Sequence, residues 1–545
     1  MKGLSGKEWV LLSEMIKPEE DVVSELGDVV AQILANRGKD QSILDLRLKK
    51  LLPPHHIPNI DLTVERIKKA IVRGERIVLF GDYDVDGITG TALLYRLLKN
   101  FPITVVPLLP SRQSGYGLNK GLINKLSHYA DLLITIDNGT TAVEELREFK
   151  KDTVVIDHHN VGEELPPAIL LNPKLSQYLP KELKELSSVG LVFYLIALLT
   201  RELNVDYDPR LDLYLPAIGT LADFMPLNLT NRIIVSYGIK CLEYVQKGQI
   251  RAYGIKALME RVGLNGTITS RDITFSLVPR INAPGRVSRP SIALKLFLTE
   301  DQDRARSFAN KIEEINQRRR LISERAYELA LKQALYQKER KFLVVVLDSW
   351  ACGVAGLVAG RLSAEFQKPA AVFAVGDQAI GSVRSANGID VYSLLSQFSH
   401  LYLRWGGHSY AMGLSMEKEK LGLFMDLVEE SLKDVEPFST ILEIDVPLSL
   451  EEITPELIKK LHSLEPFGEG FPSPTFMCEC EMMPRNYNYD ENRLELKTLS
   501  GFSFISWDKD LNKKLLSSEK LKGKVVYQID LTRPKRLHLL DFAHG

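Results

Sequence analysis

The chain has 545 residues, enough for about three or four domains at roughly 100–200 residues each. Hydrophobic residues make up 45% and charged residues 26%, close to average globular usage, which excludes wholesale disorder. Lys and Arg number 69 against 70 Asp and Glu, a net charge of -1, which excludes binding of nucleic acid by bulk positive charge but not by a local basic groove.

The cysteines and the apolar runs indicate the compartment. Cys241, Cys352, Cys478 and Cys480 are too few and too scattered for a disulfide framework, and Cys478 and Cys480 do not have zinc-finger spacing. No apolar signal segment is visible at the N-terminus, and the longest apolar run, residues 189–199, is far shorter than the roughly 20 residues of a spanning helix. We expect a soluble cytoplasmic protein with reduced thiols and no membrane contact.

The first 300 residues fall into two predicted parts. Residues 1–70 have the periodicity of amphipathic helices, and residues 71–300 begin with short apolar runs that alternate with helical stretches. The runs are residues 77–80, 104–106, 132–136 and 154–156. Continuous apolar runs about 25 residues apart predict βαβ units and a parallel sheet that is buried on both faces.

A long helix is predicted next, over residues 301–341. Its apolar positions recur at helical spacing, and its other face is basic. The apolar positions are Phe308, Ile312, Ile315, Ile322, Ala326 and Leu329, and the basic ones are Arg304, Arg306, Arg318, Arg320, Arg325 and Lys332. The basic face fits either a solvated connecting helix or a contact with nucleic acid, and the pattern alone leaves both open.

Two further domains are predicted after this helix. Residues 342–435 begin with a strand-like run at 342–347 and a helix from Gly353, which indicates a second α/β domain. Residues 436–545 contain short β-like runs separated by polar stretches, a pattern that fits a small barrel. The expected fold class is therefore α/β, with a parallel-sheet domain, a long helix, a second α/β domain and a C-terminal β-barrel.

Acidic and histidine residues follow three of the predicted strands. Residues 81–87 (Gly-Asp-Tyr-Asp-Val-Asp-Gly), residues 137–139 (Asp-Asn-Gly) and residues 157–159 (Asp-His-His) each come directly after an apolar run. Because ligands bind outside the carboxyl ends of parallel strands, these three loops should meet at one edge of the sheet. A fourth acid, Asp223, lies in an otherwise apolar stretch, where a buried carboxylate needs a cation or several hydrogen bonds. Mixed carboxylate and imidazole ligands suit Mn²⁺, Mg²⁺ or Zn²⁺.

These motifs resemble the DHH phosphoesterase superfamily, named for the triplet found here at residues 157–159, and within it the RecJ family of single-strand-specific exonucleases. The motifs at 82–87, 137–139, 157–159 and 219–223 occur in the family's order. Residues 342–435 resemble its DHH-associated domain, and residues 436–545 its OB-type domain. Ala351, Met412 and Phe471 depart from the family pattern, although none lies in the four acidic motifs.

The resemblance implies a set of site residues. The implied metal ligands, for two Mn²⁺ or Mg²⁺ ions, are Asp82, Asp84, Asp86, Asp137, His158 and Asp223. Asp137 is the expected bridge between the ions, and one of the first three carboxylates could act without direct contact. His159 would face the phosphate as a hydrogen-bond donor or proton carrier, and Asp157 would orient a histidine. The implied substrate contacts are Arg112, Tyr116, Arg280, Asn282, Ser382, Arg384, Gly406, Gly407 and His408.

The function implied by the resemblance is metal-dependent 5′→3′ degradation of single-stranded DNA to 5′-mononucleotides, in DNA repair and recombination. The implied partners are single-stranded DNA and, among proteins, a single-strand-binding protein and a helicase. Two alternatives stay open: a DHH phosphodiesterase that cleaves short oligonucleotides or cyclic dinucleotides, and a non-catalytic scaffold that binds DNA or replication proteins. The long helix and the barrel disfavour the first, and the intact acidic set disfavours the second.

Overall fold

The computed structural model describes residues 1–110, 117–433, 441–488, 492–518 and 521–545. These residues form two compact units. The first contains residues 1–282, 289–312 and 442–545, and the second contains residues 283–288 and 313–441. No helix within the described ranges is long and apolar enough to cross a membrane.

The first unit is built around a five-stranded sheet in the order β3-β2-β4-β5-β6, in which every pairing is parallel. This confirms the predicted parallel sheet. The N-terminal segment is helical except for strand β1, which pairs with strand β12 near the C-terminus. The elements to the end of the sheet are β1 (Glu8–Leu11), α1 (Glu20–Leu26), α2 (Asp28–Asn36), α3 (Ile60–Arg73), β2 (Ile77–Gly81), α4 (Val85–Leu98), β3 (Val105–Leu108), α5 (Lys120–Tyr129), β4 (Leu132–Ile136), α6 (Val143–Glu148), β5 (Asp152–Ile156) and β6 (Ile169–Leu171).

Helices follow the sheet. They are α7 (Lys181–Lys184), α8 (Ser188–Leu203), α9 (Tyr214–Ala222), α10 (Leu229–Gln246), α11 (Tyr253–Arg261), α12 (Ser270–Asp272), α13 (Val278–Val287), α14 (Ser291–Leu298) and α15 (Gln302–Leu335). A π-helical turn, Ile273–Leu277, joins α12 to α13. The predicted long helix is α15, which ends at Leu335 rather than at residue 341. Its predicted apolar position Leu329 is 39% exposed, whereas Ile312, Ile315 and Ala326 are buried as expected.

The second unit contains a mixed sheet in the order β10-β11-β9-β8-β7, in which β7 and β8 pair in parallel and the other pairings are antiparallel. Helix α16 packs against β8 and β9 of this sheet. The elements are β7 (Leu343–Asp348), α16 (Ala355–Phe366), β8 (Ala370–Val375), β9 (Ala379–Arg384), α17 (Val391–Ser396), β10 (Tyr402–His408), β11 (Ala411–Met416) and α18 (Leu421–Ser431).

The C-terminal segment forms a closed barrel, as predicted. Its strands follow the order β13-β14-β15-β16-β18-β17, and the pairing of β14 with β17 closes a ring of five strands. The elements are β12 (Ile441–Ile444), β13 (Val446–Pro447), α19 (Pro455–His462), β14 (Phe476–Asn488), β15 (Arg493–Lys497), β16 (Ser503–Ser506), α20 (Lys509–Leu516), β17 (Leu521–Ile529) and β18 (Arg536–His544).

Buried contacts fix the segment before the barrel to the helices of the first unit. The fully buried Arg232 of α10 donates to the carbonyl oxygens of Leu464 (3.0 Å) and Pro466 (2.8 Å). Its guanidinium lies 4.1 Å from the ring centroid of Phe471, and that of Arg37 lies 4.6 Å from the same centroid. Phe471, one of the three departures from the family pattern, therefore packs against two guanidinium groups. Ala351 and Met412, the other two departures, are also buried.

Candidate metal centre

The acidic loops meet at one edge of the sheet because three neighbouring strands end in register. Gly81 of β2 pairs with Ile136 of β4, which pairs with Ile156 of β5. Asp82, Asp137 and Asp157 each come directly after these positions and are buried. The order of the strands thus places carboxylates from three separate loops at one site.

The first loop turns tightly into helix α4. Asp84 caps this helix, and its carboxylate accepts a hydrogen bond from the backbone N–H of Gly87 (3.2 Å). A Cβ atom at Gly87 would lie 2.5 Å from the backbone nitrogen of Asp82. Glycine is required here because the two ends of the turn approach so closely.

Asp86 is held by the N-terminus of helix α8. Its carboxylate accepts hydrogen bonds from the backbone N–H groups of Ser188 (2.7 Å) and Val189 (2.9 Å). Burial raises the pKa of Asp86 to about 7, and the neighbouring Asp84 adds to the shift, whereas the two N–H groups oppose it. The helix end fixes the orientation of the carboxylate but does not supply enough positive charge to keep it ionised without a cation.

Asp137 lies at the centre of the cluster. Its φ angle is 65°, in the left-handed region, and its Oδ1 accepts a hydrogen bond from the Ser188 hydroxyl (3.0 Å). Burial raises its pKa well above the usual range, and the carboxylates of Asp84 and Asp86 raise it further. Buried carboxylates this close together stay ionised only with cations between them.

His158 connects Asp137 to the fourth acidic motif. Its Nε2 lies 3.4 Å from Oδ1 of Asp137 and 3.3 Å from Oδ2 of Asp223. Asp223 follows helix α9, which ends at Ala222. The apolar stretch around Asp223 predicts a buried acid that needs a cation, and the family pattern groups it with the others; the structure brings it to the same site, but its side chain is 36% exposed rather than buried.

The potential ligand atoms form three overlapping groups, each with its atoms within 4.8 Å of one another. Asp137 and His158 each belong to two of the groups, and of these two residues only the Asp137 carboxylate offers two oxygens for a pair of ions, the bridging role that the family resemblance implies. The groups are Asp82, Asp84 and Asp137; Asp86, His158 and Asp223; and Asp137, His158 and His159. Hard carboxylate oxygens with one or two imidazole nitrogens fit Mn²⁺ or Mg²⁺, so the donor set suits these ions.

Asp157 positions His158 and His159 through contacts with its carboxylate. Its Oδ1 accepts hydrogen bonds from the backbone N–H of His158 (2.8 Å) and lies 2.7 Å from Nδ1 of His159. Its Oδ2 accepts from the backbone N–H of Thr140 (3.0 Å). Burial alone would lower the pKa of His159, but the Asp157 carboxylate raises it to about 9. A protonated His159 would present a donor to an anion, as the sequence predicted.

Ser188 is the site residue that the sequence did not reveal. Its hydroxyl donates to Asp137 and its backbone N–H to Asp86, so one residue orients two carboxylates. The available signal was Ser187, which caps α8 by accepting from the N–H of Gly190 (3.3 Å) just before the long apolar run. A serine before a buried helix indicates where the helix starts. It does not indicate that the next residue, Ser188, contacts two carboxylates of the metal centre.

The predicted substrate contacts fall in three places. Arg112 and Tyr116 lie outside the described residues. Arg280 and Asn282 lie half-buried on helix α13 of the first unit, where the Arg280 guanidinium donates to the carbonyl oxygen of Ser276 (2.7 Å). The others lie in the second unit: Ser382, Arg384, Gly406, Gly407 and His408.

This last group lies on two strands, β9 and β10, which flank strand β11 in the sheet. Across β11, Ser382 of β9 is in register with Gly406 of β10, and Arg384 with His408. Gly406 has no neighbour that would contact an added Cβ, so the sheet is open there, whereas Gly407 (φ 149°) has no room for a side chain. The structure thus brings these five residues together on a surface with a basic end.

Arg384 lies beneath the first turns of helix α16. Its Nη1 donates to the carbonyl oxygen of Val383 (2.8 Å), and a Cβ at Gly356 would lie 2.9 Å from Nη2. Burial lowers the pKa of Arg384. A bound anion would form charge-assisted hydrogen bonds with this partly desolvated guanidinium and so stabilise its charged form.

Family models match three parts of the chain. They describe the DHH family N-terminal domain (residues 76–220), the DHHA1 domain (residues 339–434) and the RecJ OB domain (residues 444–533). These matches cover the parallel-sheet domain, the mixed sheet of the second unit and the barrel.

Several relatives are similar over most of the chain. The single-stranded-DNA-specific exonuclease RecJ of Escherichia coli is 32% identical over 492 residues, which cover 84% of each chain. RecJ of Bacillus subtilis is 30% identical over 89% of this chain, and the matched part covers 63% of the Bacillus subtilis protein. The crystal structure of RecJ from Thermus thermophilus in complex with Mn²⁺ has a TM-score of 0.83 at 27% identity, and the match covers 99% of this chain and 80% of that one.

Proposed function

The chain belongs to the RecJ family, and we propose that it is a metal-dependent exonuclease that degrades single-stranded DNA from the 5′ end to 5′-mononucleotides, in DNA repair and recombination. The observation that carries this proposal is the overlap of three potential ligand groups at one buried edge of the parallel sheet. A binding scaffold would gain nothing from mutually repelling buried carboxylates, so the cluster favours catalysis over the non-catalytic alternative.

In this proposal the six predicted ligands hold two Mn²⁺ or Mg²⁺ ions. When bound, these ions supply charge neutralisation at the scissile phosphate and activation of water. Asp137 contributes to two of the three ligand groups, and the hydrogen bond from the Ser188 hydroxyl fixes its rotamer. His159, held by Asp157, is placed to donate a hydrogen bond to a phosphate oxygen when its ring is protonated, and the Asp157 carboxylate favours that form.

The proposed activity is tested with single strands that are labelled at either end. Dialysis against chelator should abolish cleavage, and Mn²⁺ should restore it better than Mg²⁺ because imidazole ligation favours the softer ion. The 5′-labelled strand should release labelled mononucleotide at once, whereas the 3′-labelled strand should shorten progressively, and duplex should resist. Cleavage that survives exhaustive chelation, or label released first from the 3′ end, would contradict the proposal.

We also propose that Arg384, with Ser382, binds the terminal 5′-phosphate. Arg384→Ala should lower kcat/KM for 5′-phosphorylated strands by about 10-fold or more relative to 5′-hydroxyl strands, because a charge-assisted hydrogen bond contributes about 1.5–3 kcal/mol. Arg361→Ala, on the same helix that covers Arg384 but paired with Glu324 at the surface, is the matched control. Equal losses on both ends would make Arg384 a general backbone contact.

The barrel offers a second proposed DNA contact. A cavity of about 440 Å³ on its surface is lined by basic residues from β15, β18 and the loop before β18. They are Arg493, Arg533, Lys535 and Arg536. Burial lowers the pKa of Arg536, and the nearby Arg533 and Arg493 lower it further. Arg493 lies 3.6 Å from Glu495 and Arg533 lies 3.3 Å from Asp530, so part of the positive charge is already paired, and the rest suits the phosphates of a long strand.

Point substitutions test the barrel contact, since deletion of the segment would leave the buried Arg232 without its partners. Each phosphate contact contributes roughly 0.7 to the slope of log K against log salt for a single strand. The combined change of Arg533, Lys535 and Arg536 to Ala should therefore reduce this slope by about 2 for a long single strand. The same change at Lys509, Lys513 and Lys522, exposed on the same barrel, should leave the slope within about 0.5. An unchanged slope in the first variant would place the strand elsewhere.

We propose a single-strand-binding protein and a helicase as partners, on the family resemblance and on the need for unwound substrate. We propose a cytoplasmic location from the same role, and the absence of a disulfide among the four cysteines is compatible with it.

A further inference from the structure

Phe224 combines three features beside the metal centre. It comes directly after Asp223, whose carboxylate lies 3.3 Å from His158. It is a large apolar side chain, yet it is 68% exposed. Its backbone has a φ angle of 52°, in the left-handed region that bulky residues rarely adopt.

The backbone conformation itself has a local cause. Phe224 ends helix α9: the N–H of Asp223 donates to the carbonyl of Gly219 (3.0 Å), and that of Met225 donates to Thr220 (3.1 Å). A left-handed residue at this position is common at the ends of helices, where it is usually glycine. Glycine would therefore end the helix without strain. Phenylalanine adds backbone strain, and because its side chain is exposed it contributes little packing that could stabilise the fold.

The backbone is also held in place on both sides of Phe224. Helix α9 fixes the chain before it, and after it the N–H of Leu227 donates to the carbonyl of Glu469 (2.8 Å). Leu227 itself is buried. An exposed aromatic side chain on a strained and fixed backbone, next in sequence to a residue of the metal centre, indicates a binding role, because strain of this kind persists where it serves a site.

We infer that Phe224 stacks on a nucleobase of the DNA strand next to the scissile phosphate. This inference rests on the proposed function and adds a base contact to a site otherwise made of groups that bind phosphate or metal. A phosphate oxygen gains nothing from an aromatic ring, whereas each of the four bases has a flat face that stacks on one. The contact tolerates any base sequence, as degradation of DNA without sequence preference requires.

The test compares strands that carry natural bases with strands that are abasic at their first three nucleotides. Phe224→Gly should lower kcat/KM about 10-fold on natural strands and less than about 2-fold on abasic strands, since the abasic strand has no base to stack. Its Tm should not fall, because glycine adopts a positive φ without strain. Phe224→Tyr should stay within about 3-fold of the unchanged protein on both strands.

Binding is measured separately with a 2-aminopurine strand in the absence of metal. Stacking on the unchanged protein should quench the fluorescence of the base, and the quench should be lost in Phe224→Gly. Tyr244→Ala, another exposed aromatic of the same unit, is the control that should change neither readout. Equal losses of Phe224→Gly on natural and abasic strands, or a retained quench, would overturn the inference. Failure of the unchanged protein to cleave single strands would instead contradict the proposed function.

Discussion

Asp137→Asn is expected to lower the rate of DNA cleavage at least about 10³-fold, because the carboxylate shared by two ligand groups supplies several kcal/mol of stabilisation through the bound ions. Asparagine is preferred to alanine as the replacement. Asn tolerates the φ angle of 65° found here and keeps an acceptor for the Ser188 hydroxyl. The loss would then report the charge rather than a change in the fold.

The same substitution should raise the Tm of the metal-free protein. The pKa of Asp137 is raised in the folded state, so its carboxyl binds a proton more tightly there than in the unfolded chain. The free energy of unfolding therefore decreases as the pH rises above the unfolded value of about 4, and Asn removes this penalty. Mn²⁺ should stabilise the unchanged protein more than the variant, because the variant lacks the negative charge of Asp137 that would bind the ion.

Asp152→Asn provides the control for both measurements. Asp152 begins β5, the strand whose other end precedes Asp157, and its side chain is 62% exposed in an ion pair with Arg66. We expect full activity, an unchanged response to Mn²⁺ and a small decrease in Tm. Substantial cleavage by Asp137→Asn with Mn²⁺ would contradict the assignment of Asp137 as the bridging ligand.

Four of the five strands of the parallel sheet could be predicted, but β6 could not, and in the second unit only the first strand, β7, and the helix α16 after it could be predicted. Strands buried on both faces give continuous apolar runs, and the runs at 132–136 and 77–80 correspond to β4 and β2. Strands β10 and β11 carry glycines and exposed side chains, so no run marked them. Their pairing partners, which align Ser382 and Arg384 with Gly406 and His408 across β11, are set by the fold rather than by local pattern.

A similar division holds for the metal centre. The carboxylates at the strand ends could be predicted, because parallel strands present their carboxyl ends on one side. The backbone N–H groups that bind Asp86 come from a helix about 100 residues later and have no side-chain signature. The position of Phe224 also depends on how helix α9 ends, a backbone property that a phenylalanine in the sequence does not reveal.

Gly87→Ala is expected to impair both stability and activity through the first loop alone. The added Cβ would lie 2.5 Å from the nitrogen and 2.7 Å from the Cα and carbonyl oxygen of Asp82. All three atoms belong to the backbone, so no side chain can rotate away and the turn itself must open. We expect the free energy of unfolding to fall by about 1–3 kcal/mol and the cleavage rate by about 10²-fold, since a shift of about 1 Å in a ligand is costly.

Gly121→Ala separates this effect from a general intolerance of alanine at helix starts. Gly87 is the third residue of α4 and Gly121 the second of α5, so both occupy first turns. At Gly121 the nearest heavy atom would be 3.4 Å from the new Cβ, and alanine favours the helix, so stability should not decrease. If Gly87→Ala kept normal activity at a temperature where it is folded, the position of Asp82 would not matter for catalysis. Recovery of the lost rate at high Mn²⁺ concentration would instead show that the opened turn still binds metal, only more weakly, as expected for a ligand that is displaced but not removed.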